Sequence, residues 1–252
     1  MPAIYPDLAG RSVIVTGGGS GIGEAIVRAF AGQGASVGFI DIATEASLAL
    51  EAELVSTGAS VRYAHADLTD IEALRRAITA LRKAHGPATV LVNNAAHDER
   101  HATEEVTPEY FDGQIAVNLR HAFFAAQAVL PDMKSANGGS IVNFSSISWM
   151  TATGGMAVYT ASKSAMLGLT RSLARDFGRF NVRVNAVAPG WIRTKRQEEF
   201  WITPEGERTA MEAQCLKRWL LPEEVARLVL FLASNDASAC TAQHYVVDGG
   251  WA

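Results

Sequence analysis

Seven short runs rich in β-branched residues recur along this chain, and an amphipathic segment separates each run from the next. The runs occupy 12–16, 36–40, 61–65, 89–92, 140–144, 182–187 and 243–247. Apolar residues recur at the three- and four-residue spacing of helices over about 21–33, 44–57, 70–84, 108–134, 157–180 and 222–233. Strands that alternate with helices predict an α/β fold: one doubly wound, seven-stranded parallel sheet with helices on both faces.

No Gly-, Ser- or Pro-rich linker and no internal repeat divides the sequence, so we expect a single domain over 1–252. The segment at about 191–215 breaks the strand-helix rhythm with Thr203-Pro204-Glu205-Gly206. Long insertions in compact domains are usually functional. We therefore predict that this segment is a substrate-loop insertion.

The charge balance argues against nucleic acid as a partner, because 22 Lys and Arg residues against 26 Asp and Glu give a formal net charge of −4. No apolar run reaches the length of about 18 residues that a membrane span needs, and the first residues do not resemble a signal peptide. Two cysteines, Cys215 and Cys240, do not suggest a disulfide framework. We expect a cytoplasmic protein that binds neither nucleic acid nor membrane.

A glycine-rich stretch, 16–23, follows the first predicted strand and opens the first predicted helix with the spacing Gly17-xxx-Gly21-x-Gly23. Glycines let the backbone approach a pyrophosphate closely, and a helix N-terminus offers free N–H groups and a positive dipole end. This context predicts a dinucleotide site.

The second predicted strand is followed by Asp41, eighteen positions after Gly23. A carboxylate there can accept both ribose hydroxyls of an adenosine and would repel a 2′-phosphate. Neither Gly18 nor Ile42 supplies a guanidinium to hold such a phosphate. The sequence therefore predicts NAD, in preference to NADP, as the cofactor.

A serine, a tyrosine and a lysine form the candidate catalytic group. Ser146 follows the fifth predicted strand, and Tyr159 and Lys163 lie four residues apart on one face of a predicted helix. Lowering a tyrosine pKa by two to three units requires roughly 3 to 4 kcal/mol. A positive charge about 4 Å away, at an effective dielectric of about 20, supplies roughly that much. We expect Lys163 to lower the pKa of Tyr159 and make it a general base.

These motifs together resemble the short-chain dehydrogenase/reductase family, whose fold is Rossmann-like, over nearly the whole chain. The interval of 13 residues between Ser146 and Tyr159 matches the family pattern, and Ala96 stands where the family usually has glycine. The matching elements are the turn at 16–23, Asp67, the segment 93–96, Asn118, Ser146, Tyr159-xxx-Lys163 and Pro189-Gly190.

The resemblance implies roles for particular residues and a homotetramer built on the helices near 108–134 and 157–180 and on the C-terminal strand. It implies the catalytic residues Asn118, Ser146, Tyr159 and Lys163, with Asn118 positioning a water in a proton relay. The implied cofactor-binding residues are Gly17, Ser20, Gly21, Ile22, Gly23, Asp41, Ile42, Asp67, Leu68, Asn94, Ala95, Tyr159, Lys163, Pro189, Gly190, Ile192 and Thr194.

Several loops resemble those of bacterial D-xylose 1-dehydrogenases and related aldose dehydrogenases, among them 98–101, 117–121, 194–198, 213–217 and 248–251. That resemblance implies NAD-dependent oxidation of a cyclic sugar at its anomeric carbon to an aldonolactone. Buried sugar hydroxyls need polar partners, and aromatic rings can stack on a sugar face. The predicted substrate residues are His97, Asp98, Ser146, Ser148, Tyr159, Trp191 and Gln197.

Three alternatives remain open at this stage. The chain could act on another secondary alcohol, a sugar acid or a ketone with NAD or NADP, or it could be a non-catalytic dinucleotide-binding protein. His97, Asp98, Glu99 and His101 could hold a metal, but their order differs from H-E-x-x-H and we expect no metal. The sequence does not distinguish D-xylose, L-arabinose, D-galactose and L-fucose.

Overall fold

The computed structural model describes residues 3–252, which form an α/β domain around a parallel sheet of seven strands. The strand order is β3-β2-β1-β4-β5-β6-β7, and every neighbouring pair is parallel. The strands are β1 (Ser12–Thr16), β2 (Ser36–Asp41), β3 (Val61–His65), β4 (Val90–Asn93), β5 (Gly139–Phe144), β6 (Val182–Pro189) and β7 (His244–Val247). The predicted fold is confirmed, and the predicted strands agree with these within one or two residues.

Helices cover both faces of the sheet. The helices are α1 (Gly21–Gly32), α2 (Thr44–Ser56), α3 (Ile71–His85), α4 (Pro108–Ile115), α5 (His121–Ser135), α6 (Ala157–Phe177), α7 (Lys195–Phe200), α8 (Pro204–Ala213) and α9 (Pro222–Ala233). Apolar side chains of α1, α2 and α9 pack in one core cluster, and those of α3, α5 and α6 pack in a second.

Consecutive residues of the central strand serve the two cores in turn. Val13 and Val15 belong to the first cluster and Ile14 to the second, and all three side chains are buried. Side chains of a strand point alternately to opposite faces, so a strand covered on both sides must be apolar throughout. This is the physical reason for the continuous apolar run in β1.

The helix predicted over 108–134 is interrupted. A π turn, Ala116–Arg120, separates α4 from α5, and the His121 N–H bonds back to the carbonyl of Ala116, five residues earlier. One extra residue in a turn widens the helix locally, and such turns are frequent at functional sites. The predicted catalytic residue Asn118 lies at the centre of this turn and is fully buried.

Two short helices, α7 and α8, form half of the segment between β6 and α9. Thr194 caps α7, and Thr203 caps α8 with Pro204 in its first turn. The end of this segment is tied to the C-terminus, because the N–H groups of Cys215 and Leu216 donate to the carbonyls of Gly250 and Gly249 at 3.2 and 2.9 Å. No helix within residues 3–252 combines the length and the apolar run that crossing a membrane requires.

The C-terminal turn depends on one buried carboxylate. Asp248 accepts the backbone N–H groups of Gly250, Trp251 and Ala252 at 2.8, 3.0 and 2.7 Å, and its side chain is 6% exposed. Because hydrogen bonds to charged groups contribute about 1.5 to 3 kcal/mol each, we expect Asp248→Ala to lower the free energy of unfolding by about 2 to 4 kcal/mol in urea denaturation. Asp236→Ala, at an exposed aspartate, is the control, and equal midpoints for the two variants would contradict the prediction.

Candidate active site

The carboxyl ends of the parallel strands meet at one edge of the sheet, and the candidate residues follow these ends. The strand order runs outward in opposite directions from β1 and from β4, so the loops after these two strands diverge. Ligands of open α/β sheets bind in the crevice at such a point. The turn after β1 and the loop after β4 therefore border the candidate site.

The turn after β1 has the conformation of a phosphate cradle. Gly17 and Gly21 have φ angles of +68° and +56°, a region that side chains disfavour. A Cβ on Gly23 would overlap the carbonyl oxygen of Gly17 and lie 2.7 Å from Asn94 Nδ2. Ser20, at the N-cap of α1, is exposed, and within the described chain its side chain does not cap the helix. The open N-terminus of α1 fits a pyrophosphate.

Asp41 ends β2 beside this turn. Its Oδ2 accepts the Gly19 N–H at 2.8 Å and its Oδ1 accepts the Ala43 N–H at 2.9 Å. Each carboxylate oxygen retains a second acceptor position, so the group can still receive ribose hydroxyls. Ile42 is 62% exposed next to it and offers an apolar surface for a base. These residues fit the adenosine end of a dinucleotide.

The loop after β4 is fixed against the phosphate turn. Asn94 Nδ2 donates to the carbonyls of Thr16 and Gly17 at 3.1 and 2.9 Å, and the Ala95 N–H donates to Thr16 Oγ1 at 3.2 Å. A Cβ on Gly17 would lie 2.7 Å from the Ala95 Cα. The two backbone segments are therefore in direct contact, and the predicted residues Asn94 and Ala95 lie where a bound dinucleotide would pass. Ile22, in the first turn of α1, is half-buried.

Asp67 and Leu68 lie in the loop after β3, on the adenosine side. The Asp67 carboxylate accepts the N–H and the hydroxyl of Thr69, both at 2.8 Å, which leaves its second oxygen exposed. Leu68 is buried in the second core cluster. Asp67 is thus available to a ligand, whereas the Leu68 side chain serves packing.

The loop after β6 supplies the opposite wall. The Gly190 N–H donates to the Val247 carbonyl at 2.9 Å, and a Cβ on Gly190 would lie 2.7 Å from the Asp248 Cα. Ile192 is buried, and Pro189 ends the strand. Thr194 Cγ2 lies 3.3 Å from the place where a Gly21 Cβ would stand. The start of α7 therefore lies over the phosphate turn.

Ser146, Tyr159 and Lys163 come together at the ends of β5 and α6. Lys163 is 1% exposed, its Nζ donates to the Phe144 carbonyl at 2.9 Å, and it lies 5.7 Å from the centroid of the Tyr159 ring. Ser146 Oγ accepts the N–H of Ser148 at 3.1 Å, which leaves the Ser146 O–H free to donate. Two Lys163 protons also remain for other acceptors. This arrangement can bind a reacting oxygen and transfer its proton.

The electrostatics of this group differ from the expectation. Desolvation raises the pKa of Tyr159 above its ordinary value and Asp98 raises it further, while the Ser146 hydrogen bond and Arg100 lower it. Desolvation also lowers the pKa of Lys163 to about 7, although Asp98 raises it. The expected lowering of the Tyr159 pKa by Lys163 is therefore wrong for the chain's own groups, because burial favours the neutral form of both.

Asn118 connects the π turn to the loop after β4. Its Oδ1 accepts the His97 N–H at 2.9 Å, and its Nδ2 donates to the carbonyl of His97 at 3.1 Å and to Gln114 Oε1 at 2.9 Å. Gln114 Nε2 and His97 Nδ1 are 3.3 Å apart. The Asn118 side chain thus fixes the backbone of the residue that precedes Asp98.

The predicted substrate residues Asp98, Trp191 and Gln197 are joined by hydrogen bonds. Gln197 Nε2 donates to Asp98 Oδ2 at 2.7 Å, and Trp191 Nε1 donates to Gln197 Oε1 at 2.7 Å. Ser148 is buried, and its Oγ has no hydrogen-bond partner among residues 3–252. A buried hydroxyl of this kind is costly unless a ligand or water satisfies it. The charge of Asp98 acts on Tyr159, and Ser148 is bonded to Ser146, so Asp98, Gln197 and Ser148 form a polar wall on the side of the reacting group.

Two features of the site were not predicted from the sequence. His121 is fully buried, and desolvation together with the charge of Lys163 lowers its pKa to about 3, so it is neutral. Arg100 lies 5.0 Å above the ring of Trp201, a contact between the loop after β4 and the α7–α8 segment. Both residues lie in segments noted above for their resemblance, 98–101 and 117–121, but the sequence predicts neither the burial of His121 nor the contact of Arg100 with Trp201.

The two histidines of 97–101 have different partners, although His97 Nδ1 also lies 3.9 Å from Glu99 Oε2. His97 faces Asn118 and Gln114, whereas His101 Nδ1 lies 3.0 Å from the Tyr110 hydroxyl. In the part of the chain that the structure describes, no three His, Cys, Asp or Glu side chains gather as metal ligands would.

The fit of a dinucleotide to the glycine turn can be tested with one methyl group. Because a Cβ at position 23 would displace the Gly17 carbonyl, we expect Gly23→Ala to raise the NADH dissociation constant about tenfold or more, measured by fluorescence titration. Gly32→Ala, at the far end of the same helix, is the control, since no atom of the described residues lies within 4 Å of its added Cβ. Equal NADH affinity of the two variants would contradict the fit.

Comparison with known proteins agrees with this geometry. A family described as enoyl-(acyl carrier protein) reductase matches residues 17–252. The chain is 49% identical to a D-xylose 1-dehydrogenase of Caulobacter vibrioides, covering 99% of this chain and 98% of that protein. It is also 49% identical to a probable galactose dehydrogenase of Rhizobium meliloti, covering 98% and 96%.

A solved structure has the same fold. A 7α-hydroxysteroid dehydrogenase in complex with NADH and 7-oxo glycochenodeoxycholic acid superposes with a TM-score of 0.93 at 32% identity, covering 98% of this chain and 96% of the other. Together with the adjacent Ser146, Tyr159 and buried Lys163, these similarities show that the chain is an oxidoreductase of the short-chain dehydrogenase/reductase family.

Proposed function

We propose that this protein oxidises an aldose at its anomeric carbon to the aldonolactone with NAD as the oxidant. The observation that carries the proposal is the polar wall of Asp98, Gln197 and Ser148 beside Tyr159, in a chain 49% identical to two sugar dehydrogenases over nearly its full length. His97 completes this wall. Polar side chains at a reacting centre suit a substrate with several hydroxyls, each of which costs about 1 to 3 kcal/mol if buried without a partner.

In the proposed mechanism, Tyr159 first loses its own proton to solvent, and the resulting phenolate removes the proton of the anomeric hydroxyl. The O–H of Ser146, which is directed at Tyr159 in this structure, donates to the same oxygen when the substrate is bound and holds it next to the phenol. Lys163, anchored on the Phe144 carbonyl, directs its remaining protons toward the phenol and the ribose. NAD, when bound, supplies the hydride acceptor. Asn118 holds the loop that carries His97 and Asp98, so the distance between the polar wall and Tyr159 is fixed.

The cofactor preference rests on Asp41. Its carboxylate accepts two backbone N–H groups and lies at the end of β2, where the ribose of a dinucleotide would bind. A 2′-phosphate would meet this negative charge, and the exposed Ile42 beside it offers no compensating cation. This supports NAD over NADP and argues against an NADPH-dependent ketone reductase.

Three further features belong to the same proposal. The segment 191–215, which contains α7 and α8, is the substrate-loop insertion. Apolar side chains that are partly exposed on α4, α5 and β7, namely Phe111, Phe123 and Val246, provide surface for a homotetramer. The enzyme acts in the cytoplasm.

The proposal is tested by NADH formation, followed by absorbance, with a panel of neutral aldoses, sugar acids and secondary alcohols, each with NAD and with NADP. We expect turnover of an aldose with a higher kcat/KM for NAD than for NADP. Tyr159→Phe should reduce kcat by roughly 10²- to 10⁴-fold, the usual contribution of a general base. Tyr5→Phe, far from the site, is the control. Turnover of a ketone with NADPH in place of an aldose with NAD, or an active Tyr159→Phe variant, would overturn the proposal.

The pH dependence tests the electrostatic coupling of Asp98 and Tyr159. Oxidation requires loss of the Tyr159 proton, so kcat/KM rises as pH approaches the pKa of that group. Asp98 raises this pKa, so removing its charge lowers it. We expect Asp98→Asn to shift the rising limb of kcat/KM to lower pH. Glu104→Gln, an exposed residue of the same connection, removes an equal charge and should leave the limb in place; a rising limb unmoved by Asp98→Asn would contradict the coupling.

A further inference from the structure

Three side chains form a hydrogen-bond chain that ends beside Tyr159. Trp191 Nε1 donates to Gln197 Oε1, and Gln197 Nε2 donates to Asp98 Oδ2, each at 2.7 Å. The three residues come from the end of β6, from α7 and from the loop after β4. These hydrogen bonds therefore join the 191–215 segment to the loop after β4, which carries Asp98.

The chemistry of these groups fixes the direction of every hydrogen bond. An indole N–H can only donate, so the carbonyl oxygen of the Gln197 amide must face Trp191. The amide nitrogen then faces Asp98, which accepts as a carboxylate. Trp191 thereby determines which end of the Gln197 amide is presented to Asp98.

The Trp191 indole is itself immobilised. Its ring lies 5.6 Å from the Trp219 ring at an interplanar angle of 87°, and 6.5 Å from the Trp251 ring. A Cβ on Gly206, in α8, would come within 2.9 Å of Trp191 Cη2. An aromatic ring packed on these sides is a rigid support, and this occupation is at odds with the sugar-stacking role predicted for Trp191.

Asp98 retains the capacity to bind a substrate. Its side chain is 23% exposed, and its Oδ1 has Arg196 Nε at 3.4 Å. Gln197 Nε2 keeps a second proton, so the pair presents an acceptor next to a donor. A hydroxyl both donates and accepts, and it can use both groups. The charge of Asp98 also raises the pKa of Tyr159, so this carboxylate acts on the reacting group.

We propose that Trp191 and Gln197 are positioning residues that fix the Asp98 carboxylate as the acceptor for a hydroxyl of a neutral polyol, and that the Asp98 charge disfavours substrates carrying a carboxylate. The inference rests on the proposed function and specifies its substrate class. It assigns Trp191 a role through Gln197 in place of direct contact with the sugar.

Replacing one indole N–H tests the positioning role. Trp191→Phe keeps an aromatic ring and removes the donor, so the Gln197 amide can rotate. We expect the KM for the aldose to rise about tenfold, the equivalent of about 1.4 kcal/mol, with kcat within about twofold of wild type and an unchanged NADH dissociation constant. Trp219→Phe is the matched control, because it makes the same change in the same cluster but its N–H donates to the exposed Glu207 at 2.7 Å. Its KM should stay at the wild-type value.

Exchange of the donor and the acceptor provides a rescue. Gln197→Glu places two carboxylates against each other and should raise KM about tenfold or more. In the double variant Asp98→Asn/Gln197→Glu, the amide introduced at position 98 donates to the introduced carboxylate, which can still accept from Trp191. We expect the double variant to recover most of the KM loss. A general structural defect would be additive, so a double variant as impaired as Gln197→Glu would argue against the positioning role.

The charge is tested separately with Asp98→Asn alone. This variant can keep a hydrogen bond to Gln197 but has no charge, so the ratio of kcat/KM for an aldose over that for the matching sugar acid should fall several-fold. A wild-type enzyme that turns over no neutral polyol overturns the proposed function and this inference together. If the wild-type enzyme oxidises an aldose and the variants Trp191→Phe and Gln197→Glu both have the wild-type KM for it, the inference is overturned and the proposed function stands.

Discussion

The close backbone contact at the end of β1 is the constraint on which the site depends. Gly17 lies directly against Ala95, and Gly23 lies against the Gly17 carbonyl, with no room for a Cβ at either glycine. This contact places the open N-terminus of α1 at the edge of the sheet. Asn94, bonded to the carbonyls of Thr16 and Gly17, then sets the direction in which the chain leaves β4. One contact therefore positions both the phosphate cradle and the loop that continues to His97 and Asp98.

Most of the fold could be predicted from the sequence. A strand buried on both faces of the sheet has a continuous run of apolar residues, and a helix buried on one side has apolar residues at three- and four-residue spacing. The failure at 108–134 has a specific cause. A π turn adds one residue to a helix without ending it, so the recurrence of apolar residues at three- and four-residue spacing does not locate the turn at Ala116–Arg120. Its consequence is local: the turn places the Asn118 side chain where it bonds both the N–H and the carbonyl of His97.

The spacing of residues in the sequence predicted which side chains meet, but not the direction in which their pKa values shift. Tyr159 and Lys163 share a face of α6, as four-residue spacing requires. The direction of their pKa shifts depends on burial, which the spacing does not contain: desolvation raises the pKa of Tyr159 and lowers that of Lys163 to about 7. His121 illustrates the same limit, since no motif indicates that this side chain lies in the interior close to Lys163. The contact of Asp98 with Gln197 joins residues ninety-nine positions apart, which no local pattern encodes.

The Asp98 carboxylate sets substrate recognition against proton abstraction. In the proposed function, its charge strengthens a hydrogen bond from a sugar hydroxyl, because charge-assisted hydrogen bonds are roughly twice as strong as neutral ones. The same charge raises the pKa of Tyr159 and so opposes the loss of the phenol proton. The Ser146 hydrogen bond and Arg100 act in the opposite direction and offset part of this cost. An asparagine at this position would remove the conflict but also the charge. If the proposed function holds, deprotonation of Tyr159 is harder because Asp98 is a rigidly oriented, charged acceptor, and such an acceptor suits a substrate whose hydroxyl groups distinguish it from its competitors.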